Sequence, residues 1–145
     1  MIFVTGGTGL LGNCIVRELL DQGYPIRVLC RSGTSREPFA GLDVEIVEGD
    51  LSDKATLDAA IRGTTATVHS AAYIHIGWGN LQRSREVNVA GTERIAKACA
   101  QHGSKLMHIS TVDTLPAARS LEMPISESDA EGQSRNTGVE KTPCS

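Results

Sequence analysis

The sequence predicts an α/β domain built on a doubly wound parallel sheet of about five strands. Three observations carry this. Short β-branched runs alternate five times with helical patterns at the spacing of βαβ units. A glycine-rich loop joins the first strand directly to the first helix. The 145 residues, 40% hydrophobic and 21% charged, suit one globular domain, and with 3% aromatics the core is expected to be aliphatic.

Ile2 to Thr5 is a short apolar run that meets glycine at once, as a fully buried strand does. From Gly9 to about Asp21, Leu11, Ile15 and Leu19 recur at helical spacing, and Gly23 and Pro25 stop the helix. Ile26 to Cys30 is a second strand. A polar loop leads to a third, Val44 to Val47. Ser52 or Asp53 can cap a helix that carries Leu57 and Ile61 and closes at Gly63. Ala66 to Ser70 reads as the fourth strand. Leu81 to Gln101 reads as one long helix with Val87, Gly91, Ile95 and Cys99 in a seam, followed by a fifth strand from Lys105 to Ser110. Residues 1–115 then form the folded domain. Residues 116–145, with few large aliphatics among Ser, Glu, Gly and Thr, are expected to be a polar loop or disordered tail.

Composition excludes several classes. The net charge of −3 without a Lys/Arg cluster argues against a nucleic-acid surface or a polybasic membrane patch. No apolar run approaches membrane-spanning length, and the N-terminus lacks a basic n-region and cleavage site. Cys14, Cys30, Cys99 and Cys144 are scattered, which points to free thiols, a reducing cytoplasmic compartment and no metal site.

The strongest motif is Thr5-Gly6-Gly7-Thr8-Gly9-Leu10-Leu11-Gly12. Gly6 permits a tight turn, Gly9 admits a pyrophosphate to the helix N-terminus, and Gly12 lets helix pack on strand. These residues, in order with four further segments, resemble the extended short-chain dehydrogenase/reductases, a Rossmann-type family. Gly49-Asp50-Leu51 is similar to that family's adenine-contacting Asp-Leu. His69-Ser70-Ala71-Ala72 is similar to its His-x-Ala-Ala beside the nicotinamide ribose. Asn88-Val89-Ala90-Gly91-Thr92 is similar to its Asn-Val-x-Gly-Thr segment, and Ile109-Ser110-Thr111 to the strand end bearing the reactive hydroxyl. Within the family, the branch of 3β-hydroxysteroid dehydrogenases, dihydroflavonol reductases and nucleotide-sugar epimerases is the most similar.

The resemblance implies a dinucleotide held by Gly6, Thr8, Gly9, Leu10, Leu11, Gly12, Asp50, Leu51, Ser70, Ala71 and Ala72. It assigns Thr111, with Ser110 beside it, to the substrate oxygen, and Asn88 to a helix kink and proton relay. Asp50 has an alternative as a helix cap, and His69 is read as a core histidine in preference to a proton donor. At the second strand's end stands Arg31, where NAD enzymes place an acid; a guanidinium grips a 2′-phosphate, so NADP is preferred to NAD, with Ser32 and Arg36 as helpers. The alternative leaves Arg31 stacked on adenine or in solvent.

The family's proton-transfer pair is a Tyr with a Lys at i+4, the cation lowering the phenol's pKa. Here Tyr24 and Tyr73 have Val28 and Gly77 at that offset. The resemblance therefore implies a chain truncated before the catalytic Tyr-x-x-x-Lys helix, the nucleotide-binding portion of a longer oxidoreductase or epimerase, inactive by itself. The alternative is a non-catalytic module that senses NADP. Loss of the missing helix is expected to leave the Val87/Gly91/Ile95 side under-covered and to favour a homodimer through the Leu81–Gln101 helix. The small-molecule substrate is not identified by these residues, although the loop Tyr73 to Gly79, with Trp78, is a candidate to touch it.

Overall fold

In the computed structural model, which describes residues 1–74 and 79–111, β1 (Ile2–Thr5) is buried along its whole length. A strand with both faces covered has no use for alternation, which is why Ile2, Phe3 and Val4 run together. β1 is flanked in parallel by β2 (Ile26–Cys30) and β4 (Ala66–His69), with β3 (Val44–Glu48) and β5 (Lys105–His108) at the edges, in the order β3-β2-β1-β4-β5. Every pairing is parallel. Register sets Thr5 opposite both Leu29 and His69, so the three central strands end level.

Pleating sorts the core into two layers. Ile2, Val4, Val28 and Val68 face α1 (Leu10–Asp21) and its Val16. Phe3 and Leu29 face α2 (Lys54–Ile61) and α4 (Gly91–His102), meeting Leu57, Ile61 and Ile95. The sheet is thus covered on both faces. The core is not purely aliphatic: Phe3 is fully buried, and Phe39 packs beneath the glycine loop from a 3-10 turn at Glu37–Phe39 within the loop read as polar.

Helix ends follow local chemistry. α1 stops because Gly23 takes φ +79°, letting Gly23 N donate to Leu20 O and Tyr24 N to Leu19 O. Asp53, not Asp50 or Ser52, caps α2 by accepting from Thr56 N at 3.1 Å. Strands β4 and β5 end at His69 and His108, short of Ser70 and Ser110.

The stretch expected as one helix is a composite. A short α3 (Leu81–Ser84) passes into a π-helical stretch, Arg85–Ala90, and then into α4. The seam expected to lack cover is packed: Ile95 and Cys99 are buried, and Gly91 lies so close to Leu51 that an added Cβ would stand 3.2 Å from its side chain. That face lies on the sheet; the solvent-facing apolar residues of this helix are Leu81 and Val89. Met1–Ile109 forms one unit that contains the entire sheet. Of the second unit, 110–145, only Ser110 and Thr111 are described, so the expected tail 116–145 lies outside the described residues, as do Trp78 and Cys144.

Candidate dinucleotide-binding site

After β1 the chain runs through α1 to β2 on one side, and β4 then takes the other side of β1. Parallel sheets of this kind open a crevice at the carboxyl ends of the strands where the order reverses. A cleft of about 440 Å³ lies there. Its floor and walls come from the glycine loop (Gly6, Thr8, Gly9), from β2 and the turn beyond it (Leu29, Arg31, Thr34), and from Asp50 and Leu51 after β3. Ser70 to Ile74 after β4, with Arg83 and Val87 of the helix, complete it.

The glycines have separate jobs. Gly6 has φ +77°, and a Cβ there would stand 2.7 Å from Ala71 N, so the loop lies directly on the exit of β4. At Gly12 a Cβ would come within 2.6 Å of the Gly6 carbonyl carbon and closer still to its oxygen, so only glycine lets α1 seat on the loop. Gly9 is different. Its backbone is ordinary (φ −83°, ψ 165°), it caps α1 without any side chain, and a Cβ would meet only Gly6 O, at 3.4 Å. The space its missing side chain leaves opens at a helix N-terminus, where unpaired N–H groups and the macrodipole favour an anion. That cradle suits a pyrophosphate.

Nine of the sequence-predicted residues therefore meet in one cleft: Gly6, Thr8, Gly9, Arg31, Asp50, Leu51, Ser70, Ala71 and Ala72. Leu10 and Leu11 do not line it; their side chains are exposed, Leu10 at 88%. Gly12 lies behind the loop. Ser110 and Thr111 begin the second unit and are exposed. Asn88 stands behind the wall: its Oδ1 accepts from Tyr73 N at 2.7 Å, and its Nδ2 donates to Tyr73 O at 2.9 Å and to Ser84 Oγ at 3.3 Å. Both ends of the amide are thus engaged in holding the Tyr73 backbone.

Among the described residues the Arg31 guanidinium has no hydrogen bond or ion pair, whereas Arg36 is drawn to Glu48 at 2.8 Å. Ser32 does not line the cleft. Asp50 accepts from Ser52 N and Ser52 Oγ through Oδ1, a local turn that leaves Oδ2 without a hydrogen bond among the described residues. Sequence reasoning missed Leu29, Thr34, Arg83 and Val87 as cleft residues, while Tyr73 and Ile74 belong to the loop it offered to the substrate. Leu29 was accessible to it, as the last inward residue on β2's α2-facing side. Arg83, which stacks over the Tyr73 ring at 5.1 Å, was not, because its place depends on the tertiary course of the helix.

His69 is 1% exposed, as a core histidine should be. Burial, with a smaller contribution from the facing His108 ring at 5.3 Å, lowers its pKa to about 4, so it is neutral near pH 7. Among the described residues no cluster of His, Cys, Asp and Glu is arranged to hold a metal, and no helix is long and apolar enough to cross a membrane. Cys14, Cys30 and Cys99 are free thiols.

Comparison with known proteins agrees with this geometry. The chain is 38% identical over 99 residues to a putative dihydroflavonol 4-reductase of Synechocystis sp., covering 68% of this chain and 28% of that protein. It is 35% identical over 109 residues to sterol demethylase protein B of Methylococcus capsulatus, covering 74% and 33%. The chain spans about a third of the length of the curated relatives it matches. Among solved structures, the UDP-glucose 4-epimerase of Thermus thermophilus in complex with NAD superposes with a TM-score of 0.78 at 29% identity, over 90% of this chain and 43% of that one. A sequence profile of the NAD dependent epimerase/dehydratase family matches residues 2–138, and the chain belongs to that family.

Proposed function

We propose that this chain is the NAD(P)-binding portion of an oxidoreductase or epimerase acting at a secondary alcohol or ketone, and that its cofactor is NADP in preference to NAD. The observation that carries the reading is the cleft at the strand-order reversal, with Gly9 leaving an anion cradle open at the N-terminus of α1. A bound nicotinamide dinucleotide supplies hydride transfer to or from a carbinol carbon. The chain's residues bind and orient. Thr8 and Gly9, with the first N–H groups of α1, meet the pyrophosphate. Asp50 and Leu51 flank the adenine, and Ser70 to Ala72 run beside the nicotinamide ribose. Resemblance, rather than geometry, gives the substrate oxygen to Thr111, with Ser110 as its neighbour.

The names of the relatives favour an oxidoreductase over a nucleotide sensor without chemistry. The Thermus epimerase carries NAD, which supports a nicotinamide dinucleotide in general. The choice between the two forms rests on Arg31: no acid ends β2, and the Arg31 guanidinium, without a hydrogen bond or ion pair among the described residues, lines the cleft. A homodimer through the helix at 81–102 belongs to this reading, supported by the exposed Leu81 and Val89. So does a cytoplasmic location, supported by the scattered free thiols. Because no Tyr-x-x-x-Lys occurs in the 145 residues, the chain by itself is expected to bind without turnover.

Calorimetric titration with NADP⁺ and NAD⁺ tests the assignment. NADP⁺ is expected to bind more tightly, and Arg31→Glu to reverse the order by weakening NADP⁺ roughly tenfold or more, the scale of a charge-assisted hydrogen bond. Tighter binding of NAD⁺ to the unaltered chain would overturn the NADP preference.

A further inference from the structure

His69 closes a chain of hydrogen bonds whose polarity can be worked out. Its Nδ1 lies 2.6 Å from Thr5 Oγ1 and its Nε2 lies 3.0 Å from Thr92 Oγ1. The Thr92 hydroxyl also donates to the carbonyl oxygen of Asn88 at 2.7 Å. A carbonyl only accepts, so the single hydroxyl hydrogen of Thr92 is committed there. Toward His69, Thr92 Oγ1 can then only accept, and Nε2 must carry the ring hydrogen. A neutral imidazole has one N–H; Nδ1 is therefore a lone pair, and Thr5 donates to it. The oxygen of Thr5 still has room to accept, and Ala71 N–H points to it at 3.4 Å.

Each hydrogen thus has one place. The path runs from Ala71 N–H to Thr5 to His69 on one side, and from His69 to Thr92 to the Asn88 carbonyl on the other. Its two ends act on one wall of the cleft. Thr5 leads into the glycine loop and holds Ala71, while Asn88 holds both backbone groups of Tyr73. The π-helical stretch is where that second grip is made. Among the described residues the titratable group facing the ring is His108 of β5; β1 and α4 present hydroxyls to it.

We propose that His69 is a positioning residue for the cofactor, a buried imidazole fixed as its Nε2–H tautomer that ties the glycine loop to the π-helical stretch and so sets the Ala71–Tyr73 wall. It is not a proton donor to substrate, since both ring nitrogens are used within the fold. The ligand named here rests on the dinucleotide reading above; the hydrogen-bond assignment does not.

The test has two independent parts on the full chain. Two-bond ¹⁵N spectroscopy of the imidazoles is expected to show His69 as a neutral Nε2–H tautomer that stays unprotonated down to about pH 4. An Nδ1–H tautomer, or a ring that gains a proton near pH 6, would overturn the proposal. Thr92→Val removes the acceptor with little change of shape, and Thr92→Ser keeps it. The valine variant is expected to shift the Ala71 and Tyr73 amide resonances and to weaken NADP⁺ binding by roughly three- to tenfold, while the serine variant stays near the unaltered chain. Equal amide spectra and equal affinities in all three would also overturn it. Should none of the three bind nucleotide, the dinucleotide reading fails, and the tautomer and the amide shifts still decide the role of His69. Should the valine variant not fold, the tautomer of the unaltered chain decides it.

Discussion

A methyl group added at Gly12 would overlap the Gly6 carbonyl, whereas the same group at Gly9 would meet only a carbonyl oxygen at 3.4 Å. The two substitutions should therefore separate folding from binding. Gly12→Ala is expected to destabilise the chain by at least the roughly 1–3 kcal/mol typical of an overpacked interior, read by chemical denaturation. Gly9→Ala is expected to leave the melting temperature near its original value and to weaken nucleotide binding, because its methyl occupies the anion cradle. His69 makes a second residue-scale prediction. Its pKa is lowered on folding, from 6.5 to about 4, so between those values the unfolded chain takes up a proton that the native one does not. The stability it contributes is complete above about pH 6.5, falls as pH drops toward 4, and amounts over that window to about 3 kcal/mol. Denaturation midpoints measured across that range should fall with pH in the unaltered chain and fall less steeply in His69→Gln.

The elements show which features a sequence carries and which it does not. β1, α1 and the loop between them were legible, because apolar run, glycine spacing and helical period are all local. The limits of α2 were nearly so. Asp53 accepts from both Thr56 N and Thr56 Oγ1, which holds its carboxyl below the usual range, and Asp53→Ala should lower the melting temperature while Asp53→Ser largely preserves it. For the stretch around Asn88 the resemblance implied a helix kink, but its π-helical form was not legible. Asn88 signals a poor helix former, but the extra residue in the turn goes with its grip on Tyr73, a contact made across the cleft wall. Phe39 escaped for the same reason: it reads as one aromatic in a polar loop until the fold places Gly7 above it. The burial of Gly91 and Ile95, against expectation, reflects which side of a long helix the sheet takes, and a seam of small residues serves a sheet as well as a second helix.

On the scale of the whole molecule, the sheet's order places nine predicted cleft residues together, while the side chains of Leu81, Val89 and Met107 remain about half exposed or more. Leu81 and Val89 stand on one helical stretch and Met107 on β5, and exposed apolar groups of that size favour association. Sedimentation should show self-association of the chain, and Leu81→Glu with Val89→Glu should shift it toward monomer without loss of structure, since neither side chain is in the core. The central claim is that the cleft between the glycine loop and the β4 exit holds a nicotinamide dinucleotide. The most direct measurement is a map of backbone amide shifts as NADP⁺ is titrated into the folded chain. Saturable shifts centred on Thr8, Gly9, Arg31, Asp50, Ala71 and Ala72 are predicted. Saturation with shifts elsewhere, or none at millimolar nucleotide in a chain that remains folded, would contradict the account.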